Sequence, residues 1–182
     1  MATYSGAGRV REPGEIWYEQ LKNADSLDDS GYVLAYTTES SVVKLTKAGS
    51  SDLGVAVNYR SSRDPHDLNF PPATYKTGTD IGEMGIPVLD EGWVRLKVAN
   101  NNAAISIGDP IKISAGGKVD KYTATTIGDT SSANQATALN ARFTELRKVV
   151  GIAKEAVAAG SGSAPGQDKV LVKLTLGTVG TQ

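Results

Sequence analysis

The sequence predicts a mainly β protein: a β-barrel or β-sandwich body with an extended N-terminal arm and one short helix. Three observations carry this. Apolar residues alternate with polar ones at period two in several short stretches. Aromatics make up only 6% of the chain while glycine occurs 20 times, so the core must rest on Val, Ile, Leu and Ala between many turns. A short phrase also occurs twice, as Leu53-Gly54-Val55-Ala56-Val57 and again as Val150-Gly151-Ile152-Ala153-Lys154. Each copy follows a Lys-bearing stretch and a break.

Residues 1–30 read as the arm and 31–182 as the β-rich body. The body holds two related β-units, about 31–60 and 92–177, joined by a Pro/Gly-rich loop. Met1 to Gly14 is Gly-rich and cannot form a core alone. Glu15 to Leu21 suits one or two helical turns, and Asp25 to Gly31 a loop. The arm is expected to be removable without unfolding the body. Strands are expected at Tyr32–Tyr36, Val43–Lys47 and Leu53–Tyr59, the last with Leu53, Val55, Val57 and Tyr59 on one face. Arg60 to Gly85 holds Pro65, Pro71, Pro72 and three glycines, and reads as a long loop.

In the second half, Trp93–Val98 should point Val94, Leu96 and Val98 inward and Arg95 and Lys97 outward. Asn100-Asn101-Asn102 breaks that strand. Ile105 and Ile107 lead to a turn at Gly108-Asp109-Pro110, and Ile111 and Ile113 resume the alternation. Ala115-Gly116-Gly117-Lys118 reads as a hairpin turn, because glycine reaches positive φ without steric cost. Between Lys121 and Lys148, Asp129-Thr130-Ser131-Ser132 offers N-cap residues. Ala136, Leu139, Phe143 and Leu146 then recur at spacings of three and four, predicting an amphipathic helix. Arg147 and Lys148 would sit at its C-terminal end, where the dipole favours cations. Val149–Ala156 is the next strand, Gly160–Gln167 a turn, and Val170, Val172, Leu174 and Leu176 mark the last strand.

No catalytic set emerges, and the chain reads as a non-enzyme with no cofactor. Cysteine is absent, which removes disulfides, thiolate metal sites and Cys nucleophiles. The single histidine, His66, lies between Asp64 and Asp67 without further ligands at usable spacing. There is no Gly-x-Ser-x-Gly elbow for a serine nucleophile and no Walker spacing around Gly116-Gly117-Lys118. Asp90, Glu91 and Glu83 read as turn residues rather than paired acids. Asn100–Asn102 and Asp109 likewise suit turns better than calcium. A formal net charge of −1, with no basic block, argues against a nucleic-acid partner. The first residues carry no apolar signal-peptide core, and no apolar run is long enough to span a bilayer, so no membrane partner is expected.

The stretches Ile107–Val119, Val149–Ala156 and Val170–Leu174 resemble the small β-barrel capsid decoration (cement) proteins of tailed bacteriophages. The shared grammar is Gly-Asp-hydrophobic, strand, Gly-Gly-Lys-Val, strand, Gly-hydrophobic-Ala, Gly-rich turn, final strand. It covers roughly residues 92–177. The resemblance implies a virion protein made in the host cytoplasm and seated on the outer capsid surface. It would bind the major capsid protein, commonly as a homotrimer, and stabilise contacts between subunits. The contact residues expected on this reading are Arg9, Arg11, Trp17, Tyr18 and Leu21 in the arm, then His66, Phe70 and Tyr75 in the long loop. The alternative is a tail or head-fibre component that stacks a host glycan on Trp93, Tyr75 or Trp17.

Overall fold

The computed structural model describes residues 17–19, 21, 25–27, 30–58, 75–76, 86–124, 132–164 and 166–176. In chain order the strands are β1 (Trp17–Glu19), β2 (Ser26–Leu27), β3 (Val33–Glu39), β4 (Val42–Lys47), β5 (Ala56–Asn58), β6 (Tyr75–Lys76), β7 (Ile86–Leu89), β8 (Glu91–Lys97), β9 (Pro110–Ile113) and β10 (Val119–Lys121). The helix α1 (Ser132–Leu146) follows, then β11 (Val149–Ala153) and β12 (Lys169–Thr175). The mainly β architecture with one helix is as predicted.

The strands form two five-stranded sheets, β1-β7-β5-β3-β4 and β10-β9-β11-β12-β8, with a small β2-β6 ribbon beside them. Both large sheets curl until their ends meet. In the second, the chain just past β8 makes a parallel bridge from Val98 to Val119 of β10, and the Ala99 N–H donates to the Val119 carbonyl at 2.8 Å. In the first, β1 pairs with β7 at one edge. Leu21, two residues later, bridges to Leu45 of β4 at the other. Curling of this kind removes the exposed edges that would otherwise recruit other chains.

Two cores result. The second sheet encloses Val94, Leu96, Ile111, Ile113, Val119, Val150, Val170, Val172 and Leu174, and Val33, Ala35, Val57 and Leu89 of the first sheet pack onto them. On the other face of the first sheet, Leu27, Tyr32, Leu34, Leu45, Ala56 and Val88 form a separate cluster, with Leu21 and Val55 against it. The first sheet is therefore buried on both faces near its base. That is why β5 has no solvent side: Ala56, Val57 and Asn58 are all buried. The expected strand from Leu53 is shorter than predicted, and Leu53 itself is exposed.

The two sheets are laced by backbone. β7 and β8 are almost one strand, bent at Asp90, so a single run of chain leaves the first sheet and enters the second. At the far end of β8 the Lys97 N–H donates to the Gly31 carbonyl at 2.9 Å, while the Gly31 N–H donates to Asn58. Gly31 has φ +94°, and a Cβ there would collide with the Arg95 carbonyl. On the opposite side the β9–β10 hairpin docks through the Gly117 N–H onto the Ala48 carbonyl at 2.7 Å. The Tyr32 ring lies at this junction, with the Lys47 ammonium 4.6 Å and the Lys97 ammonium 5.4 Å from its centroid.

The N-terminal segment departs from expectation. Trp17–Glu19 is a strand and not a helical turn. Asp25 to Gly31 is more than a loop: the Asp25 carboxylate accepts from the Lys47 N–H at 3.0 Å and from the Thr46 hydroxyl, and Leu27 is fully buried. Residues 17–19, 21, 25 and 27 thus belong to the first sheet and its core, so removing residues 1–30 is expected to open that sheet instead of leaving the body folded.

The hairpin at Ala115–Lys118 forms as predicted, with Gly116 and Gly117 at positive φ and the Ser114 N–H donating to the Lys118 carbonyl. The turn at Gly108-Asp109-Pro110 also forms. The Asp109 carboxylate accepts from the Ser106 N–H at 2.7 Å and pairs with Lys121 at 2.8 Å, and Pro110 starts β9 where no ladder donor is needed. Of the two isoleucines leading into this turn, Ile105 is buried and Ile107 is exposed.

Candidate interaction surface

The expected contact residues that the structure describes lie in elements that border the smaller core. Trp17 and Tyr18 lie in β1, opposite Val88 and Pro87. Tyr75 lies in β6, opposite Leu27. Leu21 is half-buried against the smaller core, which makes it a structural residue of the first sheet. Arg9, Arg11, His66 and Phe70 lie outside the described residues.

The structure draws attention to a different surface, the outer face of β8, β12 and β11. Trp93 is 61% exposed in the middle of β8. Register places Lys173 directly beside it and Ile152 beside Lys173. The Lys154 ammonium sits 5.5 Å from the Trp93 ring centroid, a cation–π contact across β12. One row on, Arg95 forms a two-pronged ion pair with Glu155 at 2.6 and 2.9 Å. Glu155 Oε1 also accepts from the Leu171 N–H at 2.8 Å, so this carboxylate ties a solvent-facing arginine to the sheet. The result is an indole plate framed by cations on a rigid support. The sequence had named Trp93 but gave no sign of Lys154, which is brought beside it only by strand pairing.

Beyond the end of β8 lies a polar node that sequence reasoning missed. Asn102 is only 2% exposed. Its Nδ2 donates to the carbonyls of Ala103 at 2.8 Å and Ala158 at 3.0 Å, and its Oδ1 accepts from the Gly162 N–H at 3.2 Å. The side chain thus joins the turn after β8 to the turn before β12. Ser161, also buried, adds a hydroxyl donation to the Ala158 carbonyl at 2.7 Å.

Comparison with protein families, curated proteins and solved structures found no match for this chain. Its surfaces are therefore read from their own chemistry. Among the described residues, no three His, Asp or Glu side chains converge as a metal site would require. Among the same residues, no helix is long and apolar enough to cross a membrane.

A second exposed feature is α1. It stands where predicted, with Glu145 as its tether. Glu145 pairs with Lys112 of β9 at 3.2 Å and with Lys148. The Lys148 hydrogen bond, followed by the Lys112 contact, holds the Glu145 carboxyl below its ordinary value of 4.5, against burial that pushes it up. A depressed folded pKa stabilises above the unfolded value and ceases to do so as pH falls through the folded one. Amide protection in the last turn of α1 is therefore expected to drop as pH falls below 4.5 while the sheets stay protected. Glu145→Gln is expected to show the same loss at neutral pH. Unchanged protection in that variant would show that the tether contributes nothing.

Proposed function

We propose that this chain is a capsid decoration (cement) protein of a tailed bacteriophage. It would bind the outer surface of the assembled head and hold neighbouring major capsid protein subunits together, with no catalytic step. One observation carries the reading. The three stretches that resemble such proteins, 107–119, 149–156 and 170–174, fold together as the β9–β10 hairpin, β11 and β12 of the curled second sheet.

Other features support it. The two sheets are laced by backbone at both ends of β8 and at Gly117, as a stiff plug needs. Repeated modest contacts with a lattice add up to firm attachment without any single strong site. A homotrimer seated where capsomers meet would multiply the contacts in this way. Residues 1–14, with Arg9 and Arg11, would supply the reach across the seam.

Purified protein mixed with undecorated heads is expected to co-sediment and to raise the temperature at which the heads rupture. A chain lacking residues 1–14 keeps Leu21, Asp25 and Leu27, and is expected to bind more weakly while melting normally. Absence of both co-sedimentation and heat protection would remove the proposal.

Trp93 favours a second reading, a tail or head-fibre component that binds a host glycan. An exposed indole beside Lys154, Lys173 and the Arg95–Glu155 pair offers a stacking plate with hydrogen-bonding neighbours. Glycan-array binding by the intact protein that disappears in Trp93→Ala would favour this reading over decoration.

A further inference from the structure

The helix α1 has an apolar face that the body does not use. Ala136, Leu139, Phe143 and Leu146 recur at spacings of three, four and three, the a and d pattern of a coiled-coil seam. An amphipathic stripe ordinarily marks the side that packs on the core. Here Ala136 is exposed, Leu139 is 43% and Phe143 55% exposed, and only Leu146 is half-buried. The side of the helix nearer the body carries Ala138 and Glu145, both half-buried, and is held by the Glu145–Lys112 pair. A helix of 15 residues is near the length at which an isolated one is marginal in water, and packing of the apolar stripe normally supplies the rest. The stripe calls for a cover.

Charge indicates what kind. The positions flanking the seam are Gln135 and Arg142 on one side and Asn140 and Arg147 on the other, all exposed. Against a parallel second copy, Arg142 would face Arg147 of the other helix, the usual flanking pair in such a seam. Against an antiparallel copy with all four apolar layers matched, Arg142 would face Arg142 at the two-fold axis. Both arrangements set like charges together. The helix has one carboxylate near its C-terminal end, Glu145, and it points away from the seam into Lys112 and Lys148.

We infer that α1 is a docking helix for a different protein, one that presents an apolar groove or helical seam rimmed by carboxylates. Phe143 and Leu139 are the anchors, and Arg142 and Arg147 read the rim. This is helix-in-groove recognition, with apolar anchors giving affinity and flanking charge giving choice of partner. It stands apart from the decoration reading: α1 could serve this role on any assembly.

The test uses the full chain and two synthetic three-heptad peptides with Leu at every a and d position. One carries Glu at every e and g position, the other Lys. In low salt the Glu peptide is expected to bind at least roughly tenfold more tightly than the Lys peptide. Phe143→Ser should abolish that binding without lowering the melting temperature, because the side chain is already exposed. The double variant Arg142→Glu, Arg147→Glu should reverse the preference. Equal binding of both peptides, or of neither, would overturn the inference. So would self-association of the native chain that Phe143→Ser dissolves, or a Phe143-dependent attachment to anionic phospholipid vesicles.

Discussion

Gly151→Ala is expected to cost at least about 3 kcal/mol and to leave little soluble protein, because the new methyl has nowhere to go. Gly151 lies in β11 between β9 and β12, pairing with Ile111 on one side and Leu174 on the other. Val150 just before it is the extra residue of a bulge in the pairing with β9. A Cβ at Gly151 would fall well inside contact distance of the Lys173 carbonyl oxygen and 2.7 Å from Val172 Cγ1. Backbone in the middle of a sheet cannot step aside without breaking its ladder. Against a total stability of about 5–15 kcal/mol for a domain, that is a large fraction.

The sister glycine supplies the control. Gly54 occupies the same place in the repeated phrase, but a Cβ there would meet side-chain methyls: Val33 Cγ1 at 2.7 Å, and Ile113 Cδ1 and Leu176 Cδ2 both at 3.1 Å. Methyls at the ends of side chains can rotate or shift. Gly54→Ala is therefore expected to cost about 1–2 kcal/mol, the ordinary range for overpacking. Urea denaturation of both variants measures the difference. Equal losses would mean that the β11–β12 contact yields as readily as a packed methyl.

Asn102→Leu is expected to cost about 2–4 kcal/mol although leucine has the same branched heavy-atom skeleton and is more apolar. The substitution removes two donations and one acceptance at a buried site. The Ala158 carbonyl keeps its bond from Ser161, and Ala103 is exposed enough to turn to water. The Gly162 N–H has neither escape. A Cβ on Gly162 would strike the Ala99 carbonyl, so this turn is seated against the strand end too closely to shift. Asn102→Asp keeps the acceptor and loses both donors, and it places a carboxylate next to two carbonyls. It is expected to be at least as damaging at neutral pH and to recover in acid as the carboxyl is protonated. Denaturation curves at pH 7 and pH 4 separate the two variants, and similar behaviour at both pH values would refute the account.

Much of the second half was legible because its strands follow a simple rule. β8 and β12 have one face in the core and one in water, so period two shows plainly at Val94, Leu96 and Val98 and at Val170, Val172 and Leu174. α1 was legible for the same reason at period 3.6, although periodicity said nothing of which way its stripe would turn. In the first half β3 and β4 were legible too, but the other strands resisted for physical reasons. β5 is buried on both faces, so alternation carried no information there. β7 contains Pro87, which reads as a breaker, yet Pro87 still takes its place opposite Tyr18. β1 and β2 are too short for any period to show, and they are held by partners far along the chain. Asn102 is the last of three identical asparagines, and only the approach of Gly162 and Ala158 distinguishes it. The two copies of the repeated phrase share their glycine, but the glycines have different duties. Gly151 makes room for backbone within one sheet, and Gly54 makes room for side chains between two.

The strand that bends at Asp90 has a mechanical consequence. A force pulling the two sheets apart would meet a covalent tie first, since one run of chain from Ile86 to Lys97 is woven into both. Its second half is zipped to β12 over seven consecutive pairs, from Glu91–Thr175 to Lys97–Lys169. Load along that strand would therefore shear many hydrogen bonds together instead of peeling them singly. The molecule is built like a rivet whose shank passes through both plates, and it should yield by stretching elsewhere before the plates separate.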